Sequence, residues 1–178
     1  KFAQKYNVIS LANFPVINNI NLGELKEKSL VMSIIKQESG FNKKALSRVG
    51  ATGFMQLMPK TAKDVSRRLK IPYSKYKLRR DAKYNIKLGS YYMNYLLKNF
   101  DGSYVLAIAS YNAGMTNTRR WIRLNGDPRE TKDIYEVIDW VELITFNETR
   151  NYVQRVIENS VIYMHLLDER QKLKLNNK

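Results

Sequence analysis

Apolar side chains recur every three to four residues along most of the chain, the period of helices that each bury one face. The first clear instance is Glu24–Ser39. Leu30, Val31, Ile34 and Ile35 supply its buried face, Asn21 with Glu24 three residues on forms a capping box, and Gly40 is its stop. Pro59 suits the first position of a helix running to Leu69. Asp81 caps a helix to Asn99 that turns Ile86, Leu88, Tyr92, Met93 and Leu96 inward. Ser103 caps a short apolar helix, Val105–Ser110, broken where Asn112 and Gly114 act as terminators. A further short helix covers Thr118–Leu124 and stops at Asn125-Gly126. The last long helix spans Asn147–Arg170 with the stripe Val153, Val156, Ile157, Val161 and Met164. Residues 41–58 keep no period, and Gly50 and Gly53 with short spacers predict an irregular loop or a small hairpin.

This pattern predicts a mostly α fold, a compact multi-helix domain with one irregular insert around residues 41–58. Nothing alternates as strand and helix, so a doubly wound nucleotide fold is excluded, and neither G-x-x-x-x-G-K-[ST] nor G-x-S-x-G occurs. The length of 178 residues fits one domain, and 44% apolar residues are enough for a packed core. With no cysteine and the single histidine His165, thiolate zinc sites, iron–sulfur clusters, cysteine nucleophiles and multi-histidine metal sites are excluded. No run approaches the roughly 18 apolar residues of a membrane span. The chain begins without Met and shows no signal-peptide pattern, which predicts a processed chain.

Charge adds a second picture. The formal net charge is +15, and residues 60–98 hold twelve of the basic side chains against Asp64 and Asp81. That stretch is compatible with a nucleic-acid-binding domain, with any other anionic partner, or with a solvated face.

One residue stands out for chemistry. Glu38 lies in the last turn of an apolar helix, directly before the irregular segment. The negative end of the helix dipole and partial burial both disfavour a carboxylate, so both raise its pKa and suit it to act as a general acid. The alternative is an ordinary solvated glutamate at a helix end.

The surroundings of Glu38 are closely patterned. The run from Gln37 to Ala62, Q-E-S-G-F-N-K-K-A-L-S-R-V-G-A-T-G-F-M-Q-L-M-P-K-T-A, resembles the signature of the transglycosylase SLT family, with Phe54 in place of its usual leucine. Three more blocks follow in family order: Asn85, Ile86 and Gly89; Ala109 with Tyr111, Asn112, Ala113 and Gly114; and Glu142, Ile144, Phe146, Glu148, Thr149, Arg150, Tyr152 and Val153, with Thr145 where proline is usual. The resemblance spans most of the chain and is closest to the catalytic C-terminal domain of the large soluble members, in which a helical superhelix comes first.

The resemblance implies an α+β, lysozyme-like fold. It implies a lytic transglycosylase that cuts peptidoglycan between N-acetylmuramic acid and N-acetylglucosamine and leaves a 1,6-anhydromuramic end. A hydrolase of the same bond is the alternative. Glu38 becomes the single acid and base. Ser47 can hydrogen-bond the acid or the substrate, Gln56 an acetamido group, and Met58 lines the cleft. Tyr111 and Asn112 sit over the cleavage point, and Glu142 braces Tyr111 or binds sugar. No cofactor or metal is implied. The partner is the glycan strand, not nucleic acid, and the protein is expected to be a periplasmic monomer that associates peripherally with the wall. Residues 1–23 form a lead-in to an upstream region, 24–170 the catalytic domain and 171–178 a basic tail.

Overall fold

The computed structural model describes residues 13–17 and 27–176. Among these lie eight helices: α1 (Lys28–Ser39), α2 (Pro59–Arg68), α3 (Lys75–Arg80), α4 (Ala82–Asn99), α5 (Tyr104–Ala113), α6 (Met115–Asn125), α7 (Ile134–Glu142) and α8 (Asn147–Asn176). The capping box expected at Asn21 and Glu24 lies outside the described residues. So does most of the expected lead-in 1–23, and the described helix begins at Lys28.

α1 is the centre of the fold. Every residue from Ser29 to Ile35 is buried, as a helix surrounded on all sides requires. Ser33, fully buried, donates its hydroxyl to the Ser29 carbonyl at 2.7 Å and so leaves no polar atom unmet. α8 runs along α1 and packs Tyr152, Val153 and Val156 onto it. Two residues of the expected α8 stripe are out of place: Val161 and Met164 are exposed. Tyr163 is buried instead, edge-on to Phe14 at 5.5 Å and tilted against Phe41, with its hydroxyl donated to the Pro15 carbonyl. Apolar character alone does not say from which side a partner approaches, and segment 13–17 approaches α8 from the Tyr163 side.

The caps follow the sequence. Ser74, Asp81, Ser103 and Asp133 each accept a backbone N–H of the first turn, and Gly40 ends α1 in the left-handed region at φ 55°. α3 and α7 are elements the periodicity does not single out. α3 is six residues with only Leu78 buried, and α7 buries only Trp140 and Val141, so neither has a full apolar stripe. Glu136, Asp139 and Glu142 line the exposed edge of α7. α5 continues through Asn112 to Ala113, so Gly114 alone terminates it. α8 continues to Asn176, into the expected tail. Thr145 accepts the indole N–H of Trp121 at 2.9 Å, a contact that proline cannot make. No helix among the described residues is long and apolar enough to cross a membrane.

The insert between α1 and α2 carries two isolated antiparallel bridges, Leu46 with Thr52 and Thr52 with Leu57, in place of a regular hairpin. Its shape is held from α4. Asn85, 1% exposed, accepts the Met55 N–H at 2.9 Å and donates to the carbonyls of Thr52 and Leu78 at 2.8 and 3.1 Å. One turn on, Gly89 gives Met55 its space: a Cβ there would stand 2.3 Å from the Met55 sulfur. The Asn85, Ile86, Gly89 block is therefore the clamp that fixes the insert on the helical core.

Candidate active site

Glu38 is brought to the surface of the core by the abrupt end of α1. It lines a trough of about 600 Å³ together with Gln37, Ser47, Val49, Ala51, Gln56 and Met58 from α1 and the insert, Tyr111 and Asn112 from α5, and Glu148, Asn151, Tyr152 and Arg155 from α8. Burial raises the Glu38 pKa from 4.5 to about 7; the Tyr152 hydroxyl, donated to Oε1 at 2.7 Å, pulls it down, and the Glu148 charge adds to the rise. At neutral pH the group is poised between acid and base, the condition for proton transfer in both directions.

Six of the seven residues expected at the site line this trough, and five of them are held by side-chain hydrogen bonds. Ser47 Oγ accepts the Ala51 N–H at 2.9 Å, which leaves its own proton to donate. Glu38 is bonded by Tyr152 rather than by Ser47. Gln56 adopts a positive φ of 42°, and its Nε2 donates to the carbonyls of Ala45 and Gly53, so only Oε1 remains for an acetamido N–H. Met58, 41% exposed, is a wall of the trough and not core. Tyr111 is fixed by donating its hydroxyl to the Met55 carbonyl at 2.8 Å. Asn112 Oδ1 accepts the Thr149 hydroxyl at 2.6 Å, which turns its Nδ2 donors to other partners.

Glu142 is the seventh, and it does not line the trough. Its carboxylate accepts the Gln154 side-chain amide and pairs with Arg150 at 3.7 Å across the α7–α8 corner. No hydrogen bond joins Glu142 to Tyr111 among the described residues, and the Met55 carbonyl accepts the Tyr111 hydroxyl instead. The reach between α7 and the trough is a tertiary fact that spacing in the chain does not carry. His165 is exposed on α8.

Two residues of the site escape sequence reasoning. Tyr152 stands 114 positions from Glu38, and nothing local marks its hydroxyl as a partner for that carboxyl group. Glu148 reads as the acidic first turn of α8, yet it faces the trough as a second carboxylate. Their one visible signal is membership of the block from Glu142 to Val153.

The Glu38 environment has a measurable consequence for stability. Its folded pKa lies above its ordinary value, so its contribution is fully present below pH 4.5 and is lost as pH rises through about 7. Glu38→Gln removes this loss. The melting temperature of Glu38→Gln is expected to exceed that of the wild type at pH 8, and the difference to shrink towards pH 5. Scanning calorimetry across that range checks it, and a gap that widens at low pH contradicts the assigned burial.

Fold and trough together define a helical domain with a half-buried carboxyl group set in a surface trough. The family is specific: the chain belongs to the transglycosylase SLT domain family, whose profile matches residues 16–134. A second profile, soluble lytic transglycosylase helical domain, matches residues 143–172. The chain is 35% identical over 147 residues to the soluble lytic murein transglycosylase of Escherichia coli K12, covering 82% of this chain and 22% of that protein. It is 32% identical over 151 residues to a putative soluble lytic murein transglycosylase of Haemophilus influenzae, covering 84% of this chain and 24% of that one. Among solved structures, an inactive mutant of lytic transglycosylase Slt from Pseudomonas aeruginosa superposes with a TM-score of 0.78 at 37% identity, covering 94% of this chain and 27% of that one. The 70 kDa soluble lytic transglycosylase of Escherichia coli gives 0.77 at 32% identity, over 88% and 25% of the two chains. The chain thus spans about a quarter of the length of these relatives.

Proposed function

We propose that this chain is a catalytic domain that cleaves the β-1,4 bond between N-acetylmuramic acid and N-acetylglucosamine in peptidoglycan and closes the muramic product to its 1,6-anhydro form. The observation that carries the reading is Glu38, half-buried, with its pKa raised to about 7 and bonded by Tyr152, in the wall of the trough.

The chemistry follows from those contacts. Protonated Glu38 gives its proton to the glycosidic oxygen as the bond breaks. The positive charge that develops at the anomeric carbon is met by the muramic sugar's own acetamido carbonyl. Tyr152 stabilises the carboxylate then left on Glu38. That carboxylate takes the proton of the sugar's primary hydroxyl, whose oxygen closes onto the anomeric carbon. The nucleophile is already part of the substrate, so its effective molarity is high and one carboxyl group serves both steps.

Glu148 favours a second reading. A hydrolase works with two carboxylates flanking the bond, and Glu148 is a second carboxylate in the trough. It is exposed in the first turn of α8, whereas Glu38 is half-buried at the end of α1 and bonded by Tyr152. Digestion of purified sacculi separates the readings: anhydro ends by mass spectrometry support ours, and reducing ends alone support hydrolysis.

The protein works in the periplasm as a monomer held loosely against the wall, in keeping with the murein-directed names of its relatives. Its charge fits that setting. All twelve basic residues between Lys60 and Lys98 are exposed, and Arg67 with Asp64 is the one salt bridge among them in the described residues. A sacculus rich in carboxylates attracts such a face through a screened, long-range field. Retention of the Glu38→Gln variant on sacculi is expected to fall severalfold between low salt and about 0.5 M salt in a pelleting assay. Retention that ignores ionic strength contradicts the electrostatic role.

A further inference from the structure

A second cavity lies along α2 beyond Met58. Met58, Thr61, Val65 and Arg68 follow one another at three- and four-residue steps at the start of and along α2, so they share one face of that helix. Met58 lines the Glu38 trough, while Thr61, Val65 and Arg68 line a second cavity of about 210 Å³. Tyr92 and Tyr95 of α4 form the opposite wall.

A chain of rings links the two spaces. Tyr111 of the trough meets Tyr92 at 5.4 Å, Tyr92 stacks on Tyr95 at 6.5 Å and 17°, and the Arg68 guanidinium carbon lies 4.6 Å above the Tyr95 ring. The ten residue steps from Met58 to Arg68 carry this surface about 15 Å along the helix. The cavity's own carboxylate, Asp64, is engaged by Arg67 at 3.4 Å, and Arg68 forms no salt bridge among the described residues.

We propose that this α2–α4 groove is a second subsite, adjoining the Glu38 trough, that binds a carboxylate borne by the substrate strand through Arg68 while Tyr92 and Tyr95 hold the adjacent apolar surface. The inference rests on the peptidoglycan reading above. A guanidinium held over an aromatic face is partly pre-oriented, and its N–H edge matches a carboxylate with two parallel hydrogen bonds. The space is smaller than the roughly 300–1,000 Å³ of a self-sufficient ligand pocket. It therefore takes a substituent of something already held in the trough. Two carboxylates of the substrate share the required chemistry: the muramic lactyl group of a peptide-free strand and those of the stem peptide.

The test compares wild type and Arg68→Gln on peptide-bearing strands, peptide-free strands, and peptide-free strands with their carboxyl groups amidated. Arg68→Gln is expected to raise KM about tenfold on carboxylated strands, with kcat within about twofold, and to leave KM on amidated strands unchanged. A rise confined to peptide-bearing strands assigns the carboxylate to the peptide, a rise confined to peptide-free strands assigns it to the lactyl group, and a rise on both shows that Arg68 takes either. An equal change on all three strands, or none on any, overturns the subsite. Calorimetric titration of the same strands into Glu38→Gln, with and without Arg68→Gln, reads binding without turnover. Carboxylate-selective binding lost with Arg68, in a protein whose wild type yields no anhydro product, would sink the cleavage reading and leave the subsite standing.

Discussion

Glu38→Gln is expected to lower the rate of glycan cleavage by about 10³–10⁴-fold, with the fold intact. The amide is nearly isosteric with the protonated acid and keeps an oxygen to accept the Tyr152 hydroxyl, so packing around the end of α1 is preserved. It can neither deliver a proton to the glycosidic oxygen nor take one from the closing hydroxyl, so both steps fail together. Binding of strands is expected to survive, because Gln56, Met58, Tyr111 and Asn112 are untouched. Release of soluble muropeptides from sacculi, beside a circular dichroism spectrum matching the wild type, checks this. Clearing at an unchanged rate would remove Glu38 from the mechanism.

Asn85→Ala is expected to cost about 3–5 kcal/mol of stability and to lower the melting temperature by roughly 10 °C or more. The alanine leaves the Met55 N–H and the carbonyls of Thr52 and Leu78 buried without the partner that met them. These atoms belong to the segment that carries Ser47, Gln56 and Met58, and Met55 also supplies the carbonyl that fixes Tyr111. Loss of the clamp therefore reaches the chemistry: kcat at a temperature where the variant is fully folded is expected to fall as well. Thermal denaturation followed by tryptophan fluorescence, with activity at a low temperature, measures both. A shift under about 2 °C would mean that the insert holds its shape without α4.

The sequence reading succeeds where local rules decide the structure. Asp81 and Ser103 cap helices because a short oxygen-bearing side chain meets the first-turn donors whatever surrounds it, and Gly40 and Gly114 stop helices through backbone freedom. The helical character and the irregular insert were legible for that reason. So was Glu38, because its position at the end of an apolar helix is itself local. Legibility fails where a third element is involved. Nothing near Tyr152 says that its hydroxyl meets a carboxylate 114 residues earlier, and nothing near Val161 says that Tyr163 will be chosen for burial. Glu142 is the converse case: family spacing brought it to attention, and the α7–α8 corner turned it towards Arg150 and Gln154. The Asn85 block shows the gain from the structure most plainly. In the sequence it is a match without a reason; in the fold it holds the catalytic insert in shape.

The central claim is that Glu38 serves a reaction in which the substrate's own hydroxyl, and not water, attacks the anomeric carbon. Digestion of purified sacculi in water enriched in heavy oxygen, followed by mass spectrometry of the released muropeptides, tests it most directly. Products one water lighter than reducing muropeptides, with no heavy oxygen at the new end, are expected. Products that carry one heavy-oxygen atom at the anomeric position would contradict it and assign the second carboxylate, Glu148, to hydrolysis.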